Sequence, residues 1–442
     1  MTSGIRYGTR SWALTQSLAF PSLSCRTMSS SISRALLLLA GLCSLVPGSW
    51  DADVEYTNGD LHDHEHHEFV VCHHVFYNIF DLAFSLYQKP AMSSTSTNTL
   101  LSPISIVAAF AMLSLGAKGD TLTQILEGLH FNMGIVSEAH IHECFQLLLH
   151  TFQHPDHHLQ LSMGSSLFVN DDLILLHQFV QDIEELYYSE VISISFGNLK
   201  LARKQINSYV EKKSHGEIVD PVKVLKKDTD LVLVNYISFH GKWTVQFPAE
   251  YAAEEDFYID KETTVRVPMI NRLGVFLLSR NEELSSWVLV QHAVGDTMAF
   301  FILPDPGKMQ ELEEGLTQEH FNKILRTIGE RSARIHFPRL TISATYDLRS
   351  ILSTLGITKI FSDEADLSGV TEVASIKLSA AVHKAVLTIN NKQTETEWTT
   401  DLEDSAWSQT LTSSHRPFLL FIREENTNIP LFVGKVLNPE QH

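Results

Sequence analysis

Residues 231–239 read Leu-Val-Leu-Val-Asn-Tyr-Ile-Ser-Phe, a nearly continuous β-branched and aromatic run interrupted by one amide and one hydroxyl. Such a run is expected of a strand buried on both faces, because alternate side chains point to opposite sides and here both sets are apolar. A fold that accepts it must therefore place packed layers above and below a sheet. Comparable strand patterns occur at residues 263–269, 287–291, 298–303, 334–337 and 419–422. Ahead of them the period changes. Phe76, Ile79, Phe80, Ala83, Phe84 and Tyr87 recur at helical spacing, and further helical patterns cover 121–129, 141–151, 175–186 and 201–213. Pro103 sits where a helix can begin, and the Leu-rich run after it ends at Gly116. Helices mostly first and strands mostly later predict an α+β fold rather than a doubly wound sheet.

No linker or repeat divides the chain after about residue 95, so most of its 442 residues are expected in one large domain. The formal charge of −19, from 52 acidic and 33 basic residues, opposes binding to a phosphate backbone, and nucleic acid is excluded as a partner. Arg34 followed by the apolar run 35–42 and then Pro47-Gly48-Ser49 reads as a signal peptide over 28–50, with 1–27 as an upstream extension. No later stretch reaches about 18 uninterrupted apolar residues, so no membrane anchor is expected. Residues 51–74, acidic and rich in histidine, read as a mobile tail before a domain spanning 75–442. Cleavage near Trp50 leaves Cys72 and Cys144, too few for a disulfide framework. Two separate thiols are the expectation, with a single bridge as the alternative. The chain contains no Asn-x-Ser/Thr sequon.

Several segments then match a family in the family's own order. NTLLSPISIVAAFAMLSLGAKGDTLTQILEGL at 98–129, LVNYISFHGKW, FFILPDPGKM, DLSGVTE, AVHKAVLTI and the C-terminal RPFLLFIREENTNIPLFVGKVLNP resemble the serpins, and among them the antitrypsin-like group, over roughly residues 62–442. The resemblance implies three β-sheets, eight or nine helices and an exposed reactive-centre loop. It also implies a mechanical mode of action. A protease cleaves the loop, becomes acylated, and is dragged away as the loop inserts as a new central strand, so the serpin needs no catalytic residue and no enzyme is expected.

On the same resemblance Ser102, Ser105, Asn235 and His383 match the shutter, a polar cluster where the sheet opens. Trp243 matches the aromatic residue beneath the point of first insertion. The loop is expected at about 390–414, and its hinge departs from the inhibitory pattern. Gln393 stands where a glycine is expected, removing easy access to positive φ. Thr394 and Thr396 keep small, β-compatible side chains on the inward face, but Trp398, on that same face, is far larger than the small residue expected there. Counting forward from the hinge puts the scissile bond at Trp407-Ser408; counting back from Pro417 puts it at Ala406-Trp407. A primary Trp407 suits chymotrypsin-like proteases, whose pocket is a hydrophobic slot, and a primary Ala406 suits elastase-like ones.

His62, His64, His66 and His67, with Asp63 and Glu65, carry donors that suit zinc or copper, but nothing nearby imposes geometry, and the expectation is no metal site and no cofactor. The helix around 142–154 has no Lys or Arg and supports no heparin site; the Gly-x-Ser-x-Gly elbow of a hydrolase is absent. The sequence thus predicts a secreted, monomeric serpin. The hinge favours weak or absent inhibition with a binding or carrier role for a small hydrophobic ligand. The alternative is a working suicide inhibitor of an extracellular chymotrypsin-like or elastase-like serine protease.

Overall fold

The computed structural model describes residues 71–93, 96–153, 161–241, 252–293, 296–372, 375–389, 410–411 and 415–441. All of them lie in one compact unit, Leu61–His442; the other unit, Met1–Asp60, contains no described residue. The segments read as the signal peptide, the upstream extension and most of the tail therefore lie outside the described residues.

A helical turn at 71–76 leads into α1 (Ile79–Ser93), then β1 (Thr99–Leu101), α2 (Pro103–Ser114), α3 (Gly119–Gly128), α4 (Glu138–Gln153), β2 (Leu161–Asn170), α5 (His177–Tyr187), β3 (Glu190–Ile194) and α6 (Leu199–Lys213). The strand-rich half follows with β4 (Leu231–His240), β5 (Ala252–Tyr258), β6 (Thr264–Asn281), β7 (Ser286–Ala293) and β8 (Thr297–Pro304). It continues through α7 (Met309–Gly315), α8 (Gln318–Thr327), β9 (Gly329–Pro338), β10 (Leu340–Asp347), α9 (Leu348–Leu352), β11 (Leu378–Ile389), β12 (Thr410–Leu411), β13 (Phe418–Glu424) and β14 (Pro430–Val436). The described residues thus hold nine α-helices in a mixed α+β fold.

The apolar run at 231–239 becomes β4, a central strand of a five-stranded sheet ordered β10-β11-β4-β2-β3. Its alternation divides two cores as the run predicts. Leu231, Leu233, Ile237 and Phe239 enter the main core, while Val232, Val234 and Tyr236 enter a second core with Ala202, Ile206 and Val210 of α6. Two faces, each apolar and each covered, account for a strand with no polar side. Beneath the sheet runs α2, all of whose residues are buried, as expected of a helix that is apolar all round. Ser102 caps it, accepting from the Ser105 N–H at 3.3 Å, and Pro103 occupies the first turn, where its missing donor costs nothing. The helix stops at Ser114, and Gly116 beyond it answers to packing: a Cβ there would lie 2.4 Å from Val370 Cγ2.

The remaining strands form one nine-stranded ladder, β1-β14-β13-β8-β7-β6-β9-β12 with β5 on β6. The family's three sheets appear as two ladders because β6, eighteen residues long, belongs to several pairings: 264–270 pair with β5, 269–278 with β9 and 277–281 with β7. Aromatic rings fill the space between this ladder and α1 and α8, with Phe80, Phe84, Phe300, Phe321 and Phe421 at centroid separations of 4.5–6.2 Å.

The expectation of two separate thiols is corrected. Cys72 and Cys144 form a disulfide with Cα atoms 5.5 Å apart. The turn at 71–76 is helical rather than tail, and it lays its buried side, Cys72 and Phe76, against Cys144 and Phe145 of α4.

Candidate functional site

The strand order places β11 beside β4 in parallel, from Leu378 opposite Leu231 to Thr388 opposite His240. Their outer neighbours, β10 and β2, both pair antiparallel. The register sets His383 directly opposite Asn235. Across this seam lies a polar network in an otherwise apolar core, and Ser102, Ser105, Asn235 and His383 are each no more than 1% exposed.

The bonds fix the protonation of the imidazole. The Ser102 N–H donates to His383 Nε2 at 3.1 Å, so Nε2 carries no proton; Nδ1 then donates to Asn235 Oδ1 at 2.6 Å. Complete burial pushes the His383 pKa down to about 3, and the ring is neutral across the physiological range. The amide of Asn235 donates through Nδ2 to Ser105 Oγ at 2.8 Å, to the Ser105 carbonyl at 3.1 Å and to Ser165 Oγ at 3.1 Å. One amide thereby ties β4 to α2, β2 and β11. Removing a partner from such a network leaves a buried donor or acceptor unmet, at about 1–3 kcal/mol each.

Sequence reasoning named four members of this network and missed Ser165. It lies in a stretch, LSMGSSLFVN, whose serines and glycine hide the strand β2 that carries them. Gly164 belongs there for a steric reason, since a Cβ would stand 2.7 Å from the Tyr236 hydroxyl. A small cavity of about 10 Å³ opens beside Ser105, Met112, Met163, Ser165, Tyr187 and Asn235. That is room for about one water, against about 300–1,000 Å³ for a typical small-molecule site.

The other predicted site residues, Trp243, Gln393, Thr394, Thr396, Trp398, Ala406, Trp407 and Ser408, lie outside the described residues, as do the histidines at 62, 64, 66 and 67. The structure gives the two ends of the loop. β11 stops at Ile389, the strand bearing His383, and the chain returns at β12, which pairs parallel with β9 through Thr410 opposite Arg334.

The comparisons agree with this architecture. Residues 78–439 match the family model "Serpin (serine protease inhibitor)". The chain is 53% identical over 417 residues to alpha-1-antitrypsin-related protein of Homo sapiens, covering 93% of this chain and 99% of that one. It is 51% identical over 420 residues to alpha-1-antitrypsin of Sus scrofa, covering 94% and 100%. Among solved structures, human thyroxine-binding globulin complexed with thyroxine superposes with a TM-score of 0.77 at 35% identity, covering 84% of this chain and 99% of that chain. Human kallistatin gives 0.77 at 38% identity, covering 84% and 98%. The chain belongs to the serpin family, a family of serine protease inhibitors, and within it stands with the antitrypsins.

Among the described residues no helix is long and apolar enough to cross a membrane.

Proposed function

We propose that this chain is a secreted serpin whose sheet is built to admit a strand but whose hinge opposes entry, so that proteases cut residues 390–414 as a substrate more readily than they are trapped. The carrying observation is the β4–β11 seam. An antiparallel strand placed there would convert one parallel pairing into two antiparallel ones, the slightly more stable kind, and would complete a sheet whose two halves are already formed. Opening it requires the His383–Asn235 bond to break, which is the role proposed for Ser102, Ser105, Asn235 and His383.

Entry must also accommodate the loop's inward side chains. On the core side of the seam, α2 is buried throughout, and Leu233, Ile237, Ala385 and Leu387 are fully enclosed. Thr394, Thr396 and Thr400 suit such a space. The indole of Trp398 overfills it at a cost of about 1–3 kcal/mol, and the same energy in a barrier slows a step by a factor of about 5 to 150. Trapping competes with deacylation, so the slower step favours release of cleaved protein. Secretion is supported by the apolar run at 35–42 and by the Cys72–Cys144 bridge, which belongs to an oxidising compartment.

The role this reading favours is binding a small hydrophobic ligand, which is supported by the likeness to thyroxine-binding globulin complexed with thyroxine. Incubation with chymotrypsin or elastase, read on a denaturing gel, tests the main reading: cleavage between Thr399 and Thr412 without an SDS-stable complex is expected. A stoichiometric complex would establish the working inhibitor instead.

A further inference from the structure

Three donors that lie far apart in the sequence meet outside the seam. Glu255 on β5 and His336 on β9 are carried by strands that both pair with β6, opposite Val267 and Asn271. His415 lies between β12 and β13, just past the loop. Glu255 Oε2 lies 2.7 Å from His336 Nδ1 and 2.7 Å from His415 Nε2. The three donor atoms all fall within 4.8 Å of one another, and the two rings stand 4.9 Å apart. The side chains are 21%, 14% and 18% exposed, shielded yet reachable from solvent.

We propose that Glu255, His336 and His415 bind one divalent transition-metal ion, for which zinc is the best match. Two imidazoles and a carboxylate are a zinc donor set, and three protein ligands leave a fourth tetrahedral position for water. Zinc bonds of about 2.0–2.2 Å at tetrahedral angles place ligand atoms roughly 3.3 Å apart. The two Glu255 contacts of 2.7 Å therefore widen by about half an ångström on loading.

These donors differ from the histidines of residues 62–67 in origin. Glu255 and His336 are fixed by strands that pair with β6, and His415 is brought to them just ahead of β13, so two of the three donors are preformed by the sheet. A bound ion would join the chain leaving the loop to β5 and β9, fixing the loop's distal root. The inference stands apart from the proposed inhibitory behaviour, since it uses no residue of the hinge or the seam.

The test uses full-length protein stripped with chelator, in a background where His62, His64, His66 and His67 are replaced by Asn. Zinc is titrated calorimetrically, and cobalt is used as a visible-absorption probe of tetrahedral coordination. One equivalent is expected to bind, with tetrahedral cobalt bands, and His336→Asn or His415→Asn should each weaken zinc at least about tenfold, the equivalent of about 1.4 kcal/mol. A second measurement needs no variant of the site: zinc should protect His336 and His415 from diethyl pyrocarbonate, mapped by mass spectrometry. No binding in the tail-substituted background, binding unmoved by both substitutions in folded protein, or unprotected histidines would each overturn the site.

Discussion

The β4–β11 seam and the segment proposed to enter it follow opposite rules. At the seam every polar group is answered: His383, Asn235, Ser102, Ser105 and Ser165 exchange hydrogen bonds in an otherwise apolar core. In the hinge, Gln393 and Trp398 stand where the family pattern asks for a glycine and a small residue. On the proposed reading the host sheet is intact and its guest strand is ill-fitted, so that the fold keeps a seam able to open while the sequence proposed to enter it has drifted.

That contrast can be broken first at the seam. His383→Ala strips the Ser102 N–H of its partner, takes from the Asn235 side-chain carbonyl the shorter of its two donors and leaves a void, so a loss of about 3–5 kcal/mol in unfolding free energy is expected. Denaturant titration checks it, and a loss under about 1 kcal/mol would mean that the seam is not a structural necessity.

Acid probes the same residue without mutation. The folded pKa of His383 is near 3 and an unfolded histidine titrates near 6.5. Between these values the unfolded chain takes up a proton that the folded chain refuses, so stability is unaffected by this group above pH 6.5 and falls as pH drops towards 3. The expected contribution is about 2 kcal/mol between pH 7 and 5. His142, pushed down to about 4 by burial against an upward pull from Asp182, acts in the same direction. Thermal unfolding from pH 7 to 5 should show the decline, and His383→Gln should make it shallower, leaving the share of His142; an equal slope in the variant would contradict the neutral tautomer.

The smallest effect is expected at Ser165. Its hydroxyl is one of several acceptors for the Asn235 amide, so Ser165→Ala should cost only about 1 kcal/mol. A loss comparable to that of His383→Ala would move the centre of the network from β11 to β2.

What was legible in the sequence divides along similar lines. The run at 231–239 announced a strand covered on both faces because its periodicity is local, and both cores bear this out. The start of α2 at Pro103 and the Leu-rich run that follows were legible for the same reason, whereas the Ser102 cap became visible only in the structure. The strand β2 was not, since Gly164 and its flanking serines carry little strand signal and are held by pairing with β4. The Cys72–Cys144 bridge spans 72 positions, and Glu255, His336 and His415 come from three segments. No local pattern marks such meetings; they follow from the register of the sheets. The shutter residues were named from likeness to a family, and their hydrogen-bond partners became visible only in three dimensions.

The central claim, an able sheet and an obstructed hinge, is tested most directly by the melting temperature before and after cleavage of the loop. A strand that inserts gains a ladder of hydrogen bonds and buried side chains, so its cleaved form melts far higher; one that stays out leaves the melt nearly unchanged. The account predicts little or no shift for the cleaved wild type and a large upward shift for cleaved Gln393→Gly/Trp398→Ala. A rise of many degrees in the cleaved wild type would contradict it and make protease inhibition the leading reading.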